Sequence, residues 1–179
     1  RQMCIRDRAM AIPCFAQTPN TLTKKEKKAG NLKVVWISRI APKKNLKYAI
    51  EILEETKSDI EFTIYGPAHT EEYWKECKQE LRKLPSNVKW EWKGNLDSES
   101  VVETLKHYHV FLFPTLGENF GHVIQEALSA GCPCIISDQT PWRDFESQGV
   151  GYVFSLENKS AFVNAVEKYA VMKLSLIHI

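Results

Sequence analysis

The sequence predicts an α/β domain with a doubly wound, Rossmann-like parallel sheet and helices on both faces. Short runs rich in β-branched and aromatic residues alternate with longer segments in which apolar residues recur at helical spacing. Strands that alternate with such helices need crossover connections, and these produce a parallel sheet covered on both faces. The chain has 179 residues, of which 44% are hydrophobic, so one domain can bury a sizeable core without disulfides or metals.

The first strand is predicted at Leu32–Ser38, a continuous apolar run of the kind that lies buried in a parallel sheet. A turn follows it, and then a helix whose apolar residues recur at helical spacing, namely Leu46, Ala49, Ile50 and Leu53. The second strand is predicted at Ile60–Tyr65 and ends at Gly66 and Pro67. The rest of the chain repeats this unit.

The later elements follow from the same two patterns and from glycine or proline at their ends. They are the helix Glu71–Leu84, the strand Val88–Trp92, the helix Ser98–His107, the strand Val110–Phe113, the helix Gly121–Ala130, the strands Cys134–Ser137 and Gly151–Phe154, and the helix Lys159–Val171. Asp97 or Ser98 is the expected N-cap of the third helix. The Rossmann-like domain is therefore predicted over residues 31–172.

The two ends of the chain fall outside this pattern. Residues 1–30 contain two prolines and a run of lysines closed by a glycine, and they are predicted to be an N-terminal segment and interdomain linker. Residues 173–179 form an apolar tail. We interpret residues 1–8 and 173–179 as read-through sequence, the alternative being a frayed terminus and a short final strand.

The bulk composition excludes few partners but restricts the compartment. A net charge of +2 gives no indication of a nucleic-acid partner, so any anion site must be local. Five cysteines without a secretory signal favour a reducing compartment. No apolar run approaches the roughly 20 residues that a membrane span needs. We expect a cytoplasmic protein.

A ligand of such a sheet is expected at the carboxyl ends of the strands. Four segments lie at that edge: Ser38–Lys44, Gly66-Pro67, Lys93-Gly94 and Pro114–Gly121. In the first, Arg39 and Lys44 supply a guanidinium and an ammonium, the two groups that proteins use to bind phosphate. Solvated surface cations are the alternative, and for a single loop they are the more common case.

The segment before the fourth helix also fits an anion. A helix start offers unpaired N–H groups and the positive end of the helix dipole. Gly117 and Gly121 allow the backbone to approach a ligand closely, although a glycine-containing turn alone is common. Glu126 lies inside the helix among apolar residues, where a carboxylate is costly without partners such as two ribose hydroxyls. A position at the solvent edge of the apolar stripe is the alternative for Glu126.

The residues from Glu118 to Pro133 resemble the E-x-F-G-x(4)-E-A signature of glycosyltransferase family 4. Upstream, the segment from Ser38 to Leu46 resembles the G-R-x-x-x-x-K-G phosphate loop of the same family, and the likeness runs from about Ile12 to Tyr169. Two residues depart from that loop. Ser38 and Asn45 replace glycines, and both are tolerable if the backbone has no positive φ there.

The resemblance implies a retaining enzyme of the GT-B fold, of which this chain would be the C-terminal, donor-binding half. It implies that Arg39 and Lys44 bind the donor diphosphate and that Glu118 contacts the donor sugar, these three being the candidate catalytic residues. It also implies contacts from Glu126 to the ribose hydroxyls, and donor contacts from the following residues: Gly66, Asn119, Phe120 and Gly121.

The resemblance further implies the partners of the site. The donor is a nucleotide-diphosphate sugar, no metal or other cofactor is expected because the sequence has no Asp-x-Asp motif, and an acceptor-binding N-terminal domain belongs to the complete enzyme. Members of this family typically serve polysaccharide or glycolipid synthesis. The resemblance therefore also implies peripheral membrane association of the whole enzyme. The isolated chain is expected to lack transferase activity.

Other functions stay open to different degrees. A dinucleotide-dependent oxidoreductase would need G-x-G-x-x-G after the first strand, and the chain has none there. A sugar-nucleotide epimerase or phosphorylase on the same scaffold, or a non-catalytic nucleotide-binding module, remains possible.

Three further groups of residues have weak signals. Zinc at His107, His109, Cys132 and Cys134 is disfavoured by spacing, and both cysteines are expected in the core. Core or crossover packing is expected for Trp74, Trp90 and Trp92. Trp142 is expected either to form a wall of the cleft or to lie in the core.

Overall fold

The computed structural model describes residues 31–172. Its strands are β1 (Asn31–Ile37), β2 (Asp59–Tyr65), β3 (Val88–Trp92), β4 (Val110–Phe113), β5 (Cys134–Ser137) and β6 (Gly151–Phe154). Its α-helices are α1 (Leu46–Glu54), α2 (Glu71–Leu81), α3 (Val101–Leu105), α4 (His122–Ser129) and α5 (Lys159–Val171). The predicted linker 1–30 and tail 173–179 lie outside the described residues.

All neighbouring strands pair in parallel, in the order β3-β2-β1-β4-β5-β6. The chain builds outward from β1 to β3, returns to the centre, and then builds outward on the other side through β6. The predicted Rossmann-like fold is confirmed. The order reverses between β1 and β4, which is the position at which sheets of this class bind their ligands.

The core consists of strands buried on both faces and of the apolar stripes of the helices. Its largest buried side chains include Trp36, Phe62, Phe111, Phe113 and Phe162. Cys132 and Cys134 are fully buried, as the sequence predicts. Continuous apolar runs mark strands that are covered on both faces, which is why the predicted bounds of β4 and β5 match the structure.

Three predicted helices are shorter in the structure, α4 by one residue at each end. The second helix ends at Leu81 and not at Leu84. Because the ring of Pro85 disfavours helical backbone at the residue before it, the chain leaves the helix early. The third predicted helix divides into a 3-10 turn at Ser98–Ser100 and the short helix α3. Asp97 precedes the turn, but its side chain makes no capping hydrogen bond.

The prediction of core or crossover packing holds for Trp74 and Trp92 and fails for Trp90. Trp74 is buried, whereas the exposed fractions of Trp90 and Trp92 are 36% and 42%. Both lie on β3, the edge strand of the sheet, in which only Val88 is buried. Trp92 packs on Trp74 at a ring-centroid distance of 4.8 Å. A β-rich apolar pattern does not distinguish an edge strand from a central one, and the expectation fails at Trp90 for that reason.

Candidate functional site

The loop after β1 (residues 38–45, the β1 loop) and the loop after β4 (residues 114–121, the β4 loop) meet at the point where the strand order reverses. The backbone carbonyl of Lys43 accepts hydrogen bonds from the amide of Leu116 at 2.9 Å and from Thr115 Oγ1 at 3.0 Å. The fold therefore joins the two segments that the sequence identified separately as candidate anion sites.

Asn45 makes a further bond across this junction and accounts for a departure noted in the sequence. Its φ and ψ are 57° and 44°, so the condition of no positive φ at this position is not met. Asparagine is one of the few non-glycine residues that adopt this left-handed conformation readily. Its Nδ2 also donates to the carbonyl of Pro114 at 2.9 Å, which ties the end of the β1 loop to β4. Ser38 has no positive φ.

Gly66 allows the β1 loop to lie against the end of β2. Its φ is 129°, and a Cβ at this position would lie 1.8 Å from the backbone oxygen of Ser38. The amide of Gly66 donates to the carbonyl of Gly94 at 2.7 Å, so the ends of β1, β2 and β3 are linked. This close approach is enough to require glycine at position 66. The contact of Gly66 with the sugar-nucleotide donor stays a prediction.

Lys44 and Glu118 form an ion pair between the β1 loop and the β4 loop. The exposed fractions of their side chains are 17% and 14%, so the pair is largely withdrawn from water. The Lys44 ammonium also lies 5.9 Å from the centroid of the Phe113 ring. Glu118 is anchored from the other side, because its amide donates to the carbonyl of Gln139 at 3.0 Å. Two residues that are 74 positions apart thus occupy one point of the site.

Two further cations of the β1 loop are not neutralised in this way. Within residues 31–172, neither Arg39 nor Lys43 forms an ion pair, and both are exposed. Lys43 lies against Gly117, where an added Cβ would be 3.2 Å from its Cε. Sequence reasoning did not identify Lys43 as a site residue. The signal for Lys43 in the sequence is its position next to Lys44 in Pro42-Lys43-Lys44. Its place in the site depends on the contact with Gly117, which the sequence does not show.

The start of α4 presents a row of backbone N–H groups. Gly121 precedes the helix with φ 79° and ψ 59°, and a Cβ there would lie 2.8 Å from Ile124 Cδ1. None of the N–H groups from Asn119 to Val123 donates to an acceptor in the described part of the chain. Together with the dipole of α4, these groups form an arrangement suited to an anion.

Glu126 lies one turn inside α4 and is half-buried. Burial raises the pKa of its carboxyl, and the nearby charge of His122 opposes that rise. Among the residues that the structure describes, none donates a hydrogen bond to this carboxylate, and none links it to Lys44 or Glu118. Its environment therefore disfavours the charge without compensating for it, which is typical of a group that binds a ligand.

The remaining candidates lie around the same helix start or have structural roles. Phe120 is half-buried, its ring 4.7 Å from His122 and 5.8 Å from Trp142, while Asn119 is exposed. Trp142 is itself half-buried beside the β4 loop. His109 is buried, and its Nδ1 accepts a hydrogen bond from the amide of Lys33 at 2.9 Å.

The described residues contain neither a metal-binding cluster nor a helix that could span a membrane. No group of three or more His, Cys, Asp and Glu residues between positions 31 and 172 is arranged to hold a metal ion. Over the same residues, no helix has both the length and the hydropathy that crossing a bilayer requires.

Comparison with known proteins gives one family and many structures of the same fold. Residues 18–173 match the family described as glycosyl transferases group 1. A GDP-Man:Man(3)GlcNAc(2)-PP-Dol alpha-1,2-mannosyltransferase from Caenorhabditis elegans is 26% identical over 137 residues, which are 68% of this chain and 29% of that protein.

Two solved structures illustrate the structural likeness. The apo form of the lipopolysaccharide outer core galactosyltransferase WaaB superposes with a TM-score of 0.68 at 20% identity, over 86% of this chain and 45% of WaaB. HepE of Anabaena, solved with UDP and glucose, gives a TM-score of 0.62 at 21% identity, over 80% of this chain and 41% of HepE. The chain thus spans less than half the length of each of these relatives.

Proposed function

The chain belongs to the group 1 glycosyl transferases, and we propose that it forms the donor-binding half of a retaining glycosyltransferase that uses a nucleotide-diphosphate sugar. One observation carries the proposal: the β1 loop, the β4 loop and the start of α4 meet where the strand order reverses. At that point the chain assembles cations, unpaired N–H groups and a half-buried carboxylate, which suit the diphosphate and the ribose of one ligand.

In the proposed complex, the diphosphate lies between the β1 loop and the start of α4. Arg39 binds phosphate oxygens with its guanidinium, and Lys44 adds a second charge. The N–H groups of Asn119, Phe120 and Gly121 provide further hydrogen bonds to the diphosphate, and Gly66 borders the diphosphate. Because these donors are held in place before the ligand arrives, they stabilise the negative charge that develops on the diphosphate as the glycosidic bond breaks. We propose that this arrangement operates without a metal.

The two carboxylates have different proposed roles. Glu126 accepts hydrogen bonds from the ribose hydroxyls, which compensate for the burial of its charge. Glu118 is paired with Lys44 in the free protein. When the diphosphate engages Lys44, Glu118 is free to accept hydrogen bonds from the donor sugar and to orient it. We assign Glu118 an orienting role and propose no covalent intermediate on it.

The acceptor is proposed to bind outside this chain. We propose that an N-terminal domain carries the acceptor contacts, that the complete enzyme works in the cytoplasm and associates peripherally with a membrane, and that the present chain alone has no transferase activity. The Caenorhabditis elegans relative is named for a dolichol-linked acceptor and WaaB for lipopolysaccharide, which supports an acceptor of the glycolipid class. A non-catalytic nucleotide-binding module, or an epimerase or phosphorylase, is less well supported because these relatives are named as transferases.

The experiment that tests the proposal is a calorimetric titration of the chain with UDP, GDP and ADP, and then with their sugar conjugates. The variant carries Arg39→Ala and Lys44→Ala. Its matched control carries Arg82→Ala and Lys89→Ala, which remove exposed cations that form no ion pair in the described residues. Saturable binding of one diphosphate that is lost in the variant and kept in the control supports the donor site. A folded chain that binds none of the three contradicts it.

A further inference from the structure

The loop after β5 (residues 138–145, the β5 loop) contacts the start of α4. The indole Nε1 of Trp142 donates a hydrogen bond to the backbone carbonyl of Phe120 at 2.6 Å. The carbonyl of Gln139 accepts a second bond, from the amide of Glu118 at 3.0 Å. The β5 loop therefore contacts the β4 loop at the residues that carry the proposed donor contacts.

The bond from Trp142 fixes the orientation of one peptide group. The carbonyl of Phe120 and the N–H of Gly121 belong to the same planar peptide, in which the two groups point in opposite directions. With the carbonyl held by the indole, the N–H of Gly121 must point away from the β5 loop. It is one of the N–H groups that have no acceptor among the described residues.

We propose that Trp142 is a positioning residue, which holds the peptide between Phe120 and Gly121 in the orientation that lets its N–H bind the donor diphosphate. The inference rests on the proposed function of the site. Its basis is the placement of this indole on a backbone carbonyl, and Trp142 itself touches no reacting atom.

Trp142 can impose this orientation because it is itself held in place. Its ring contacts the buried ring of Phe145 at a centroid distance of 6.1 Å, and that of Phe120 at 5.8 Å, both edge-to-face. The guanidinium of Arg143 donates to the carbonyls of Asp138, Thr140 and Trp142, which closes the β5 loop on itself. The indole therefore has little freedom to follow the β4 loop if that loop moves.

The indole of Trp142 also borders Gly121, where the closest atom belongs to Ile124. An added Cβ there would lie 3.4 Å from Trp142 Nε1 and 2.8 Å from Ile124 Cδ1, at a positive φ. The backbone turns sharply at this residue, and the peptide that enters the turn would be free to rotate without an anchor. The hydrogen bond to Trp142 supplies that anchor on the side opposite the N–H.

Trp142→Phe tests the inference, because it keeps an aromatic ring but removes the N–H donor. The expected result is a loss of affinity of about fivefold or more for UDP or GDP, whichever the unmodified chain binds, and for inorganic pyrophosphate. Affinity for uridine or guanosine is expected to change less than about twofold, because the nucleoside does not use the Gly121 N–H. Trp90→Phe is the control, since it makes the same substitution at an exposed tryptophan that donates to no described residue.

The outcomes separate the inference from the proposed function. If the unmodified chain binds a diphosphate and Trp142→Phe binds it equally well, or if Trp90→Phe loses as much affinity for the diphosphate, the positioning role is wrong and the donor site stands. If the unmodified chain binds no diphosphate, the proposed function fails and the inference fails with it.

A second measurement tests the bond directly. The indole N–H of Trp142 is expected to exchange with solvent more slowly than that of Trp90, which is exposed and donates to no described residue. Equal exchange rates would mean that the bond is not maintained in solution, and the inference would be overturned.

Discussion

Two half-buried glutamates in this domain have carboxyl pKa values that shift in opposite directions. Burial raises the pKa of Glu126, on α4 at the proposed ligand site. Burial also disfavours the charged form of Glu167, on α5, but Ser58 Oγ and the amides of Lys57 and Ser58 donate hydrogen bonds to it, and its pKa is lowered. One carboxylate has its partners in the fold, and the other has none among the described residues.

This difference separates a structural carboxylate from a candidate ligand-binding one. At Glu167 the fold supplies three donors, at distances of 2.5, 2.5 and 3.1 Å, which compensate for the charge and fasten α5 to the start of β2. At Glu126, no hydrogen bond from the described residues compensates for the burial of the charge in the free protein. Groups that must exchange partners with a ligand are expected to be incompletely satisfied without it, whereas groups that hold elements together are not.

The largest expected effect is on binding at Glu126. Glu126→Ala is expected to weaken nucleotide binding by about ten- to a hundredfold, through the loss of the proposed ribose hydrogen bonds. The free energy of unfolding should fall little, because no hydrogen bond within the described residues is removed. Calorimetric titration with the preferred nucleotide and chemical denaturation measure the two quantities. Unchanged affinity in a folded variant would exclude Glu126 from the site.

The reciprocal change at Glu167 is expected to affect stability and not binding. Glu167→Ala removes the acceptor of three hydrogen bonds and leaves two backbone amides without it, so a loss of about 1–2 kcal/mol is expected in the free energy of unfolding. Nucleotide affinity should stay within about twofold of the unmodified chain. If both variants lost the same property, the distinction between the two carboxylates would be wrong.

A third variant sharpens the comparison within the site itself. Arg39→Ala is expected to weaken binding of a nucleoside diphosphate by about tenfold and to leave nucleoside binding unchanged, because the guanidinium is proposed to contact phosphate alone. Arg82→Ala is the matched control, because it removes an exposed arginine that directly follows α2 and forms no ion pair within the described residues. Comparing UDP with uridine, or GDP with guanosine, gives the answer. Equal losses for the nucleotide and the nucleoside would mean that Arg39 is structural.

Much of the fold follows from the sequence because its signals are local. The strand Cys134–Ser137 and the helix Lys159–Val171 match their predicted bounds. Both are predictable because the pattern of apolar residues within the segment itself indicates a buried strand or an amphipathic helix. Trp90 was misplaced because exposure at a sheet edge depends on which strand pairs where. The sequence alone does not state that pairing order.

The candidate site was predictable only in part, because several of its contacts join residues that lie far apart in the sequence. Family resemblance identified Lys44 and Glu118 and gave them separate roles, but not the ion pair between them, which joins loops 74 residues apart. The hydrogen bond from Trp142 to Phe120 joins residues 22 positions apart, and the hydrophobic periodicity of the sequence does not indicate it. Lys43 acquires a place only through its contact with Gly117. Cross-loop contacts of this kind depend on the sheet order that brings the loops together.

The smallest expected effect is the dependence of stability on pH, and it tests the comparison without any ligand. The raised pKa of Glu126 means that the folded state holds a proton more tightly than the unfolded state, so stability falls as pH rises from about the ordinary value of 4.5 through the raised pKa. The lowered pKa of Glu167 acts in the opposite sense. Its contribution is present above 4.5 and is lost as pH falls through the lowered pKa.

Replacing each residue with glutamine isolates these contributions, because glutamine keeps the shape and does not titrate. Thermal unfolding of the unmodified chain, Glu126→Gln and Glu167→Gln should be measured between about pH 3 and pH 7. Relative to Glu126→Gln, the unmodified chain should lose stability as pH rises, and relative to Glu167→Gln it should gain. Both groups are partly exposed, so solvent screening keeps the two slopes small. If stability relative to Glu126→Gln rose with pH, as it is expected to do for Glu167, the fold would satisfy both carboxylates alike, and the case for a ligand at Glu126 would lose its physical basis.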